Sequence, residues 1–265
     1  MAFAELIAAT HFSFLRGASA PSDMVARANE LEMSGIGIAD RNTVAGVVQA
    51  FLALKRANTG LVDAGLPPND FDLVVGARLV FVDGTPDIVA YPIDRAAWGR
   101  LTRLLSGGNL KTKKGDCHLE LADLLAWQEG LLLIVTAPDA ALLARLRNAC
   151  PGRVWLAATM PRGGRDRRRL AARIALAQKI GVPLLATNDA LYATHEQRPL
   201  HDVLTCIREG TTIAAAGRRL AANAERHLKA PEEMARLFRD CPEAVDESVT
   251  LLKRITFRLT DLKYE

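Results

Sequence analysis

The chain lacks an unbroken apolar run of the ~18 residues a membrane-spanning helix needs, so no transmembrane segment is expected. Its opening, MAFAELIAATHF, has no basic region ahead of the apolar stretch and is not a signal peptide. Cys117, Cys150, Cys206 and Cys241 show no CxxC spacing. That excludes a zinc ribbon or a disulfide framework and fits free thiols in a reducing cytoplasm. Gly107-Gly108 and Gly163-Gly164 are flexible turns: neither forms GxGxxG, and neither is followed by the Gly-Lys-Ser/Thr of a phosphate-binding loop. Ser13 and Ser19 lack a GxSxG context, and no catalytic triad is inferable. No internal repeat or low-complexity tract is evident.

What is present is ordinary for a globular protein: 265 residues, 49% hydrophobic, 24% charged. That length holds one α/β barrel or two small domains. The net charge of +4 is mild. It permits a border with nucleic acid without establishing one.

Strand and helix patterns alternate along the chain. Residues 3–9 read as a strand, and Met24, Val25, Ala28 and Leu31 recur at helical spacing, predicting a helix over 22–33 capped by Ser22. Residues 35–40 form a short apolar strand ending at Asp40, followed by a helix from Thr43 to Asn58. Residues 60–72 read as a loop. Two β-rich runs, 73–83 and 87–91, flank the hairpin signal Asp83-Gly84. A helix over 95–105 precedes SGGNLKTKKGD (106–116), the most flexible-looking stretch. Helix 119–128, strand 131–136, helix 139–149 and strand 154–158 follow. A helix to Ile180, strand 182–187, helix 196–209 and two helical patches within 228–252 complete the pattern; Thr256–Leu259 adds a strand or leads onward. This alternation argues for a parallel sheet wrapped by helices. It does not separate an open sheet from a closed barrel.

Several stretches carry a family resemblance: FAEL…FSFLRGAS (3–19), GIGIADRNTVAGVVQAF (35–51), VVGARLVFVDG (74–84), LLATNDALY (184–192), RPLHDVLTCIREGTTI (198–213) and FRLTDLKYE (257–265). They resemble the PHP (polymerase and histidinol phosphatase) domain of bacterial C-family DNA polymerases, most closely the error-prone, translesion branch. The resemblance implies a distorted (βα)7 barrel over residues 1–255. Residues 256–265 are then the start of a connection to a polymerase module absent from this sequence. It also implies a nucleotidyltransferase parent that extends primers across damaged template, with its catalytic residues and its Mg beyond Glu265. The implied partners are that polymerase module, DNA, the sliding clamp and translesion accessory proteins, with no membrane.

PHP domains that hydrolyse phosphate esters hold two or three metals at the strand ends through His, Asp and Glu. The resemblance puts their His-x-His motif at Ile7 and Ala9, and the Asp of the following turn at Arg16. Asp-His becomes Asp40-Arg41, and the Glu of Gly-x-Glu becomes Arg78. Met160-Pro161-Arg162 stands where a His is expected, and Asp-x-His becomes Asp189-Ala190-Leu191. Aliphatic side chains cannot coordinate, and Arg brings a permanent cation. A catalytically inactive scaffold with a degenerate metal site and no cofactor is therefore expected, with at least one guanidinium filling the cavity and pairing with Asp40 or Asp189.

Two alternatives stand beside it. One is a metal-dependent phosphoesterase or 3′–5′ exonuclease, for which His11 and His201 are the candidate displaced ligands; otherwise these are surface or capping residues. The other is a phosphate or nucleotide pocket lined by Arg16, Arg41 and Arg78. His118, His195 and His227 read as loop or surface residues. Arg162–Arg169 (RGGRDRRR) reads as the exposed start of a helix, or as a contact to DNA or the polymerase body. Lys111, Lys113 and Lys114 read as a mobile loop.

Overall fold

The computed structural model describes residues 2–262. The elements are β1 (Ala4–Ala8), α1 (Pro21–Glu30), β2 (Gly35–Arg41), α2 (Val47–Asp63), β3 (Asp72–Leu79) and β4 (Ile88–Pro92), then α3 (Arg95–Leu110), α4 (Leu121–Trp127), β5 (Leu131–Val135), α5 (Ala140–Ala149), β6 (Val154–Ala158) and α6 (Asp166–Ile180). β7 (Leu184–Ala186), α7 (Arg198–Glu209), α8 (Ile213–Ala216), α9 (Pro231–Leu237) and α10 (Glu243–Arg254) follow. The strands pair in chain order from β1 to β7 as one curled sheet. This is a mixed α/β architecture, one sheet wrapped by helices, in line with the expected distorted (βα)7 barrel.

Two features depart from an all-parallel closed barrel. β4 runs antiparallel to both β3 and β5. The β3–β4 connection is too short to carry a crossover helix, so the chain must turn back on itself. Among the described residues β7 has no ladder with β1; α10 packs against both strands instead. The backbone N–H of Ala4 donates to Ser248 Oγ of α10 (3.1 Å), so the helix satisfies part of the strand edge it covers.

A second link crosses the same gap inside the barrel. Glu5, fully buried, accepts hydrogen bonds from the backbone N–H of Ile7 (2.9 Å), the Thr187 hydroxyl and the backbone N–H of Asn188 (2.6 Å). Burial raises its pKa, partly offset by these donors. Above Glu5 the interior narrows. Tyr91 donates to the Leu6 carbonyl at 2.7 Å, and a methyl group at Gly37 would overlap the Tyr91 hydroxyl. Outside the sheet, one large apolar layer lies between the strands and the helices.

Local expectations shift in instructive places. Ser22 does not cap α1; Ala20 precedes the helix and Pro21 opens it, its fixed φ suiting the first turn. Thr43 forms a turn with Ala45 N–H, delaying α2 to Val47, and α2 runs on to Asp63, shortening the 60–72 loop. α3 extends through Ser106-Gly107-Gly108 to Leu110, because Gly108 packs flat against Leu119 and Cys117. The segment from Thr256 adds no strand. Phe257 is buried, stacks on Trp98 at 4.9 Å between ring centroids, and leads to a 3₁₀ turn at Leu259–Leu262. Residues 263–265 of the expected connection lie outside the described residues.

Candidate functional site

The site lies where the C-terminal ends of β1, β2 and β3 meet the segment after β7. The FSFLRGAS loop is built to fold back on itself. Ser13 N–H donates to the Thr10 carbonyl (2.8 Å), and His11 N–H to that of Ser19 (2.8 Å). Any side chain at Gly17 would collide with the Thr10 backbone, so only glycine permits this return. Ala9 and Ala18 N–H groups donate to Ala190 and Leu191 carbonyls, seating the loop against the chain after β7.

Asp40 is buried at the floor. It accepts from Thr10 N–H (2.7 Å), the Thr10 hydroxyl (2.8 Å) and the Ser13 hydroxyl (2.6 Å). Burial raises its pKa, with the Ser13 and Thr10 donors opposing. Ser13 Oγ also accepts from Arg41 N–H (3.0 Å), fixing the residue beside Asp40. No guanidinium pairs with Asp40; hydroxyls and backbone N–H groups satisfy it instead.

Asp189 is different. Its carboxylate pairs with Arg78 and, at 2.5 Å, with Arg226, whose Nε also donates to the Asp189 carbonyl (2.9 Å). Arg78 extends on to Asp87 at 3.5 Å. Burial works against the Asp189 charge, but Arg226 and Arg78 outweigh it and hold the carboxyl below its usual range. For Arg78, burial is likewise overcome by Asp189 and Asp87, raising its pKa. Asp189 adopts a left-handed φ of 50°, tolerated by Asp, which turns the chain back over the sheet.

Above this floor lies a pocket of about 260 Å³. Ala9 and Leu191 line it, as do Arg16, Arg41, Arg78, Arg208, Arg219 and Arg226. Ile7 is buried just below, in the apolar interior of the barrel. Burial, then Arg41 and Arg208 nearby, lowers the Arg16 pKa, which marks crowding of like charge. Three residues of the lining carry a buried polar atom with no partner: Arg78 Nε, His201 Nδ1 and Thr205 Oγ1. The pocket opens, across Arg16, Arg41 and Arg208, into a wider groove of about 880 Å³ that reaches Phe14, Lys113 and Lys114.

His201 is neither a surface nor a capping residue. It is 6% exposed, packs its ring against Tyr192 at 5.5 Å, and has its pKa lowered to about 4 by burial and then by Arg226. His11 is exposed beside Phe12. His118 is half-exposed at the groove, and His195 is exposed next to Glu196. His227 is half-buried, within 2.9 Å of the Ala224 carbonyl and bridged to Tyr192. Among the described residues, no group of three His, Cys, Asp or Glu side chains converges as metal ligands would.

Arg162 pairs with Glu225 (3.2 Å) and Glu233 (2.9 Å), while the rest of the basic run through Arg169 is the exposed entry to α6. Lys111 pairs with Asp123 at 2.8 Å; Lys113 and Lys114 are exposed. Sequence reasoning missed Arg208, Arg219 and Arg226, which arrive from α7 and the chain after it, and Glu5. Each is an ordinary charged residue in the sequence, with no motif to mark it.

The PHP domain family model matches residues 6–167. The chain is 53% identical over 270 residues to the error-prone DNA polymerase of Brucella abortus biovar 1 (strain 9-941), covering 98% of this chain and 24% of that protein. It is 51% identical to the error-prone DNA polymerase of Rhodopseudomonas palustris (strain BisB5), covering 99% and 24%. It thus spans about a quarter of the length of these curated relatives. A solved amidohydrolase from Chromobacterium violaceum superposes with a TM-score of 0.44 at 17% identity, over 71% of this chain and 87% of that one. The chain belongs to the PHP domain family, and the relatives it matches over nearly its whole length are error-prone DNA polymerases.

Proposed function

We propose that this is the PHP domain of an error-prone DNA polymerase acting in translesion synthesis and repair, and that the domain is a structural scaffold rather than a hydrolase. The polymerase module in the same chain, DNA, the clamp and accessory proteins are its proposed partners, in the cytoplasm. The observation that carries the scaffold reading is the Arg78–Asp189–Arg226 ion-pair set. Both oxygens of Asp189 face guanidinium groups, and both oxygens of Asp40 accept from Thr10 or Ser13. These residues do not fit a metal cluster: the two carboxylates are already engaged, and the cations beside them repel a divalent ion. The same ion pairs brace β3 against the end of β7, a role a scaffold requires.

The test is metal content by mass spectrometry after incubation with Zn and Mn, alongside hydrolysis of bis(p-nitrophenyl) phosphate and a 3′-labelled primer. Fewer than about 0.2 metals per chain and no hydrolysis are expected. Two or more tightly held ions with hydrolysis would overturn the scaffold reading.

A second reading, an anion pocket, has its own support. Six guanidinium groups line the pocket, and the carboxylates in contact with them are Asp87, Asp189 and Glu209. The excess of positive charge suits phosphate, which guanidinium binds in bidentate fashion. Pyrophosphate is expected to raise the melting temperature in wild type and not in Arg41→Ala.

A further inference from the structure

We infer that the outer face of α7 is the contact surface for a second copy of this chain, the two helices packing antiparallel about a two-fold axis. A surface helix normally turns its apolar stripe to the core and its polar side to water. α7 does the reverse. Its buried residues are His201, Thr205 and Cys206, and its exposed residues ahead of Glu209 are Pro199, Leu200, Val203 and Ile207. Leu200, Val203 and Ile207 are 48%, 41% and 60% exposed, and their spacing puts them on one helix face.

The inversion is fixed from the inner side. His201, Thr205 and Arg208 line the pocket, which holds the polar side of the helix there. Both ends are tied to the loop after β1. The Ser19 hydroxyl donates to the Gln197 side chain, and Arg208 Nη1 donates to the Leu15 carbonyl at 2.8 Å. The helix cannot roll to bury its stripe, so a contact from outside is what takes those side chains out of water.

Charge selects the partner. Beside the stripe, Arg198 and Asp202 neutralise each other at 2.6 Å. Opposite charges mark its two ends. Glu196, its side chain 68% exposed, stands one turn ahead of Leu200, and Arg208 follows Ile207. Arg208 uses Nε on Glu209 (3.0 Å) and Nη1 on Leu15, which leaves Nη2 to donate. A two-fold axis beside Val203 sets Leu200 of one copy against Ile207 of the other, and Glu196 of each within reach of Arg208 of the other. Every contact then occurs twice, as an isologous interface requires. A helix charged alike at both ends would meet a like charge at one of them.

Sedimentation equilibrium on the 265-residue chain, from about 20 µM to about 1 mM, brackets a weak dimer and tests this. A single helix face is smaller than the ~800 Å² per partner of a standard interface, so a Kd on the order of 100 µM is expected. Val203→Glu puts a charge at the centre of the contact and should abolish pairing; the position is exposed, so the monomer's melting temperature should hold. Ile207→Ser, at the most exposed of the three positions, is an independent check and should weaken pairing about 5-fold or more. Glu196→Arg sets like charges together and should weaken it about 3- to 10-fold. A chain that is monomeric at the highest concentration overturns the pairing and leaves the stripe to a different polypeptide. A dimer that survives both Val203→Glu and Ile207→Ser uses another face and overturns it too. A Glu196→Arg chain that pairs as tightly as the parent overturns the antiparallel arrangement.

Discussion

Arg78 on β3 and Asp189 beyond β7 lie 111 positions apart in the chain and form one ion pair in the fold. It spans the mouth of the barrel, from one half of the sheet to the other. The pair is mostly buried, its side chains 15% and 22% exposed, and Arg226 closes the other side of Asp189.

Removing one partner of a buried pair leaves the other charge desolvated and alone. Arg226 remains in Arg78→Ala, so the loss is expected at about 2 kcal/mol, below the cost of an unshared pair. In a urea-denaturation cycle with Asp189→Asn, the two substitutions should couple by about 1 kcal/mol or more. Additive losses would show that the pair adds nothing to stability.

His201 makes stability depend on pH in a set window. Its folded pKa, near 4, is below the usual 6.5, so the unfolded chain takes up a proton the folded chain refuses. The stabilisation is present above pH 6.5 and is lost as pH falls toward 4. Its size is on the order of 2 kcal/mol, the free energy of a shift of this extent with some relaxation of the site. His201→Phe keeps the ring against Tyr192 and should flatten the melting temperature across that window. An unchanged pH profile would place the titration elsewhere.

Asp40 has the opposite sign. Burial raises its folded pKa above 3.8, so its contribution is present below that value and is lost as pH rises through the folded pKa. Asn can accept from Thr10 N–H and Ser13 and donate to the Thr10 hydroxyl. Asp40→Asn should therefore compare worst with the parent in acid and gain on it toward neutral pH, as read by denaturation at several pH values. A gap that stays constant with pH would refute this.

The barrel interior is expected to tolerate little added volume at Gly37. Gly37→Ala drives a methyl group into the Tyr91 hydroxyl and should cost about 1–3 kcal/mol. Tyr91→Phe leaves the Leu6 carbonyl unpaired and should cost about 1–2 kcal/mol. The double variant should cost less than the sum, since removing the hydroxyl makes room for the methyl. Full additivity in thermal denaturation would count against the contact.

The order of strands and helices was legible in the sequence because each element carries its own apolar period and turn residues. The hairpin at Asp83-Gly84 and the entries to α3 and α5 are of this local kind, with Asp94 and Asp139 accepting from Ala97 and Leu142 N–H. The positions around the mouth came from the family resemblance, and the structure places Arg16, Arg41 and Arg78 together in one pocket while Ile7 stays in the barrel interior. Helix lengths were less legible. Ser106-Gly107-Gly108 reads as a loop until Leu119 and Cys117 pack on it, and packing outweighs helix propensity.

The sequence by itself determined which side chains stand at the strand ends: aliphatic groups at Ile7, Ala9 and Leu191, cations at Arg16, Arg41 and Arg78, and carboxylates at Asp40 and Asp189. Only the tertiary structure decided how the charges share the mouth. It assigned Asp189 to Arg78 and Arg226, left Asp40 to Thr10 and Ser13, and brought Arg208 and Arg219 to the pocket. The reason is one of distance: charge pairing depends on approach within a few ångströms. Closure of a long chain, which local pattern does not record, sets that approach.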